Sequence, residues 1–154
     1  MSHVHRYATR LEWAGSTGVG YDDYERTHTV SAPPAEETLR LTSDPAFTGD
    51  PNLLNPEQLL VAAASSCQLL SFLAAAARSR IDVLEYSDDA EGTMDEAEQP
   101  MWVQRIVLRP RIVVGPGTDE ERVRRVVELG HKHCFIANSV RSEMRIEPEI
   151  EVRA

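Results

Sequence analysis

The 154-residue chain has only two cysteines, Cys67 and Cys134, no block of positive charge and no apolar run at its start. Two thiols so far apart do not make a disulfide framework, and a reducing compartment would not keep a structural bond between them, so any bond they form should be transient. With 16 basic against 25 acidic residues the formal net charge is −9, which argues against nucleic acid or an anionic membrane surface as the main partner. The opening MSHVHRYATRLEW alternates like a strand and has neither the apolar core of a signal peptide nor the character of a transit peptide, so the expected location is the cytoplasm. No repeat at solenoid spacing is present. The length argues for one domain over residues 1–154, which at this size buries roughly 68–70% of its unfolded surface without metals or disulfides.

Residues 4–13 and 24–30 read as strands joined by the loop Gly15-Ser16-Thr17-Gly18-Val19-Gly20. Those glycines are followed by Tyr-Asp-Asp-Tyr and not by a helix start, so they are turn residues and not a nucleotide cradle. Residues 31–54 carry four prolines and a glycine and read as a long loop. Asn55-Pro56-Glu57 then opens a helix: an asparagine cap, a proline at the first position and an acid on the positive end of the dipole. The helix is expected to reach about Arg80, with Leu59, Leu60, Ala63, Cys67, Leu70 and Ala74 on its apolar stripe. Its length and composition would suit a membrane span, but the interruptions at Ser65, Ser66, Cys67, Gln68 and Ser71 favour a buried helix.

A strand is expected over Val83–Met94, and a second from Trp102 to Val114, where Arg105, Arg109 and Arg111 alternate with apolar residues and Pro110 demotes the strand to an edge or a bulge. Thr118-Asp119-Glu120-Glu121 reads as a capping box for a second helix, broken by Gly130 ahead of His131-Lys132-His133-Cys134. The tail from Met144 to Val152 alternates as one strand. The sum is an α+β plan with helices on one face of a largely antiparallel sheet.

Few residues point to chemistry. His131, His133 and Cys134 lack the second close pair that a zinc site needs, and Ser65-Ser66 lacks the elbow of a serine hydrolase. Free cysteine is among the most buried residue types, so Cys67 and Cys134 could simply be core. They become a redox pair only where the fold brings their Cα atoms within roughly 4.4–6.8 Å, which spacing leaves open.

The run from Asn55 to Cys67, NPEQLLVAAASSC, resembles the NPEELLAAALAAC helix of the OsmC/Ohr family of thiol-dependent hydroperoxide reductases. His133-Cys134-Phe135-Ile136-Ala137-Asn138-Ser139-Val140 resembles the segment that holds the family's second cysteine. Residues 43–51 and 86–94 look closer to a less characterised OsmC-like branch. The resemblance implies two central helices packed with the sheets, an intertwined homodimer, and a small organic or lipid hydroperoxide as substrate. It implies a peroxidatic thiolate at Cys67, a resolving thiol at Cys134, and an Arg–Glu pair in which Glu57 is the glutamate and Arg26 the arginine, with Arg40 as the alternative. It implies neither a bound cofactor nor a metal; a dithiol of the dihydrolipoyl type, free or on a lipoylated protein, would reset the enzyme. The runner-up is an OsmC-fold protein that binds or senses a small electrophile with little turnover.

Ten helical residues separate Glu57 from Cys67, about 15 Å of rise. For the two to act together, the helix must break or a second subunit must supply Glu57 and its arginine.

Overall fold

The structure, a computed structural model, describes residues 2–154. The chain divides into two compact units, one ending at Leu59 and the other running from Leu60 to Ala154.

In the first unit β1 (Arg10–Glu12), β2 (His28–Ser31) and β3 (Thr38–Leu41) form an antiparallel sheet in that order, with Leu11 opposite Val30 and Val30 opposite Leu39. The first strand is far shorter than the expected 4–13, and β2 begins only after Arg26 has turned its side chain inward. The supposed loop 31–54 contains a strand: Pro33 and Pro34 occupy the turn between β2 and β3, and the alternating Thr38-Leu39-Arg40-Leu41 completes the sheet. A short 3-10 turn at Pro45–Phe47 is capped by Asp44, whose carboxylate accepts the Ala46 N–H at 2.7 Å.

Helix α1 (Pro56–Arg78) starts where the sequence places it. The Asn55 carboxamide oxygen accepts the Gln58 N–H at 2.9 Å while Gln58 Oε1 accepts the Asn55 N–H at 3.1 Å, a reciprocal cap that satisfies two orphan donors. Its buried stripe is Ala64, Gln68, Phe72, Ala75 and Ala76, so Leu70 and Ala74 of the expected stripe are exposed. The apolar residues run almost all round this alanine-rich helix, so the pattern fixes its face only weakly, and a rotation of about 100°, one residue, separates the two stripes. Among the described residues α1 is the one helix long and apolar enough to cross a membrane, and it is not the wholly buried helix its composition suggests.

Beyond α1 each expected strand is broken in two. The segment 83–94 gives β4 (Val83–Asp88) and β5 (Glu91–Thr93); the next gives β6 (Arg105–Leu108) and β7 (Pro110–Val114); the tail, interrupted by Pro148, gives β8 (Glu143–Ile146) and β9 (Glu149–Val152). The pieces assemble as two three-stranded sheets, β4-β7-β9 and β5-β6-β8, to which each segment contributes one strand. The pairs β4·β7 and β5·β6 are antiparallel, but β7·β9 and β6·β8 are parallel. Pro110 is therefore not on an edge: it is the first residue of a central strand, where proline is tolerated, and the irregular register lies on β4 between Val83 and Glu85. At the break the Asp88 carboxylate accepts the Arg109 N–H at 2.7 Å and the Ser65 hydroxyl of α1, while the Arg109 side chain reaches Glu147 at 3.3 Å.

Helix α2 (Glu120–Lys132) is capped by Asp119, which accepts the Glu121 N–H at 3.1 Å; Thr118 instead donates to Gly115 O. Gly130 does not break it. A Cβ there would lie 2.9 Å from both Cα and N of Phe72, so the glycine is what lets α2 meet the α1 backbone. Phe72, Ala75, Ala76, Val123, Val126 and Val127 pack with Ile81, Ile112 and Val114 in one core, and Ala64, Ile106 and Leu108 form a second, with Ile146 packed against both. Substituting Gly130→Ala is expected to lower stability by about 1–3 kcal/mol, read as a lower urea midpoint with an unchanged slope.

A two-thiol candidate active site

Cys67 lies about three turns into α1, half-buried, and Cys134 follows the end of α2 with no exposed surface. Both are free thiols. Residues 134–139 form a turn whose amides point at the two sulfurs: Ile136 N–H reaches Cys67 Sγ at 3.5 Å and Ala137 N–H reaches Cys134 Sγ at 3.4 Å. The Cys134 thiol, the Phe135 amide and the Ser71 hydroxyl, one turn further along α1, surround Cys67 and favour its ionised form.

These contacts separate the two thiols chemically. Burial pushes Cys67 up, but the Ile136 amide, the Cys134 thiol, the Phe135 amide and the Ser71 hydroxyl together outweigh it and hold the group below the ordinary cysteine value. Cys134 is pushed up to about 11, first by burial and also by its hydrogen bond to Cys67 and the charge there. One sulfur is thus easier to ionise than an ordinary thiol and its neighbour harder.

The other sequence-predicted residues belong to the first unit. Arg26 is buried, with Nη1 donating to Tyr24 O at 2.9 Å and Nη2 to Tyr21 O at 2.6 Å. Its Cζ lies 3.8 Å from the Tyr24 ring centroid and 4.9 Å from that of Tyr21. Glu57 stands in the first turn of α1, half-buried, and among the described residues it forms no ion pair with Arg26. Arg40 is exposed on β3 opposite Thr29. The helix carrying Glu57 and Cys67 is unbroken, which removes a helix break as the means of uniting them.

Sequence reasoning missed Ser71 and the Ile136 amide. Ser71 was visible as the residue four after Cys67, on the same helix face. Backbone donors have no signature in side-chain identity.

A family model described as OsmC-like protein matches residues 49–149, well over half the chain, and the protein belongs to that family. An OsmC-like protein of unknown function from Vibrio cholerae has the same fold with a TM-score of 0.85 and 28% identity, covering 95% of this chain and 100% of its own. The organic hydroperoxide resistance protein OhrB of Bacillus subtilis matches at a TM-score of 0.61 and 15% identity over 96% of this chain and 98% of its own, a likeness of fold. Another organic hydroperoxide resistance protein, OsmC from Legionella pneumophila, matches at 0.68 and 14% over 97% and 99%. YmaD of Bacillus subtilis, described as uncharacterized, is 20% identical over 102 residues, 64% of this chain and 68% of its own.

Alkylation of the reduced protein followed by peptide mass should show Cys67 modified below the pH at which an ordinary thiol ionises, and Cys134 silent until about pH 11. In the sign of the linkage, Cys134 is raised, so its share of stability is full below the ordinary value of 9.0 and is lost as pH rises to about 11; denaturant midpoints should fall across that window.

Proposed function

We propose that this protein is a thiol-dependent peroxidase that reduces organic or lipid hydroperoxides. The observation that carries the reading is the single turn after α2 whose neighbouring amides, Ile136 and Ala137, reach Cys67 Sγ at 3.5 Å and Cys134 Sγ at 3.4 Å, two thiols of opposite ionisation tendency. The Cys67 thiolate attacks the terminal oxygen of ROOH; the O–O bond breaks, the alcohol leaves with a proton from solvent, and Cys67 becomes a sulfenic acid. The Cys134 thiol then displaces hydroxide from that sulfur, releasing water and leaving a Cys67–Cys134 disulfide. A dithiol, free dihydrolipoyl or a lipoylated protein, returns both cysteines to thiols and is itself oxidised to a disulfide. No metal or bound cofactor takes part. The names of the OhrB and Legionella neighbours, organic hydroperoxide resistance proteins, agree with this chemistry.

The working unit in this reading is a cytoplasmic homodimer. Leu70 and Leu73 lie exposed on α1, apolar side chains suited to cover by a second copy. Arg26 is a buried cation that forms no ion pair with a carboxylate among the described residues, and Glu57 lies about 15 Å of helical rise from Cys67. A partner copy that brings its own Arg26 and Glu57 to Cys67 satisfies both facts, with the arginine stabilising the thiolate and the glutamate fixing the arginine.

One equivalent of cumene hydroperoxide should remove two free thiols and leave an internal Cys67–Cys134 bond. Cys67→Ser abolishes the reaction, and Cys134→Ser diverts it to a sulfenic acid. Thiols that survive excess peroxide overturn the reading, and an active monomer in sedimentation overturns the shared site.

A further inference from the structure

We infer that Asn138 is a positioning residue for Cys67: its carboxamide locks the turn after α2 in the shape that aims the Ile136 backbone amide at the Cys67 sulfur. The inference deepens the peroxidase reading, on which its catalytic consequence rests, but the positioning itself is a property of the resting protein.

The end of a helix is a poor place for a thiolate. The last carbonyls of α2 form the negative end of its dipole, and anything anionic beside them is disfavoured. The chain removes this handicap within a few residues. His133 N–H turns back to Leu129 O and Gly130 O at 3.3 and 3.2 Å, and Cys134 N–H to His131 O at 3.1 Å. Two further carbonyls, Lys132 O and Cys134 O, are both taken by Asn138, whose Nδ2 donates to them at 3.1 and 3.0 Å. The Asn138 backbone N–H bonds Cys134 O at 3.1 Å as well, so one residue closes the turn twice. Ser139 Oγ fixes the Phe135 carbonyl at 2.6 Å, and the amides of Ser139 and Val140 converge on Ile136 O.

With the carbonyls engaged inside the turn, its N–H groups face outward. Ile136 directs its N–H to Cys67 and Ala137 directs its own to Cys134. Successive backbone amides presented in this way form an anion-binding concavity, and here the anion is a side-chain sulfur from another helix. Cys67 is anchored on α1, so the amide meets it only while the turn holds its shape. Asn138 touches neither sulfur and acts through the amides alone. An asparagine suits the post, because its NH2 group has two hydrogens for two carbonyls; aspartate has the same shape and no donor.

The test is the ionisation of Cys67 in the reduced two-thiol protein, without peroxide, followed by the pH dependence of iodoacetamide alkylation with each cysteine identified by peptide mass. In Asn138→Ala the Cys67 ionisation is expected to rise by about one unit, so alkylation at neutral pH slows about tenfold, while rates at alkaline pH converge with those of the unaltered protein. Asn138→Asp, isosteric but unable to donate, should shift ionisation in the same direction. A purely structural role predicts a lower melting temperature with the ionisation unmoved, and that result in either folded variant overturns the inference. Should neither variant fold, NMR of the unaltered protein decides it: the Ile136 amide proton should titrate with Cys67 and cease to do so in Cys67→Ser, and its failure to move overturns it. An unmoved Cys67 in a variant whose unaltered parent consumes peroxide refutes the role of Asn138 alone, whereas a shifted Cys67 in a variant whose unaltered parent is inert to peroxide refutes the peroxidase reading alone.

Discussion

Everything at the thiol site depends on how closely α2 approaches α1. Gly130 places the α2 backbone against Cα and N of Phe72, and one turn earlier the buried Gln68 donates from Nε2 to Val127 O at 3.2 Å. A bare backbone contact and a side-chain hydrogen bond thus fix the height at which α2 lies across α1. Since α2 ends only two residues after Gly130, that height also fixes where the following turn begins and which α1 residue it covers. The contact tolerates little variation, because interiors pack at crystal-like density and an added methyl must push backbone rather than a yielding side chain.

Within that frame the same side chain acquires two opposed characters. Cys67 is half-buried and within reach of the Ile136 amide, and Cys134 lies in the interior, where burial dominates. The asymmetry arises from backbone geometry and depth, without a metal or a charged side chain of the same unit among the contacts that hold Cys67 down. Low dielectric strengthens such hydrogen bonds, so modest changes in the angle of the turn carry over into the state of the sulfur.

The sequence made the family and both cysteines legible because they sit in a capped helix start and a short second segment, each rich in particular side chains. The α1 cap was legible for the same reason, although the partner role of Gln58 completes it. What stayed hidden depended on tertiary context. The face of α1 could not be read because alanine is compatible with either side, and a polar Gln68 was drawn inside by a carbonyl on another helix. The strand breaks at Arg109 and Pro148 leave the alternation of apolar residues almost undisturbed, so periodicity merges β6 with β7 and β8 with β9. Gly130 reads as a breaker by local propensity and is kept inside a helix by packing, a conflict of the kind that marks close backbone approach.

Those aligned breaks have a bearing on how the chain tolerates changes in length. Side chains alternate along a strand, so one extra residue inside a continuous strand would turn every later side chain inside out. Here each long segment is divided by a short unpaired stretch at the same level, between Asp88 and Glu91, at Arg109, and between Ile146 and Glu149. An insertion at one of these points is absorbed before the next ladder starts, and the inward faces of both three-stranded sheets are preserved. The joints therefore serve as the register buffers of the fold, the places where the chain can take up a change in length while the two cores stay as they are.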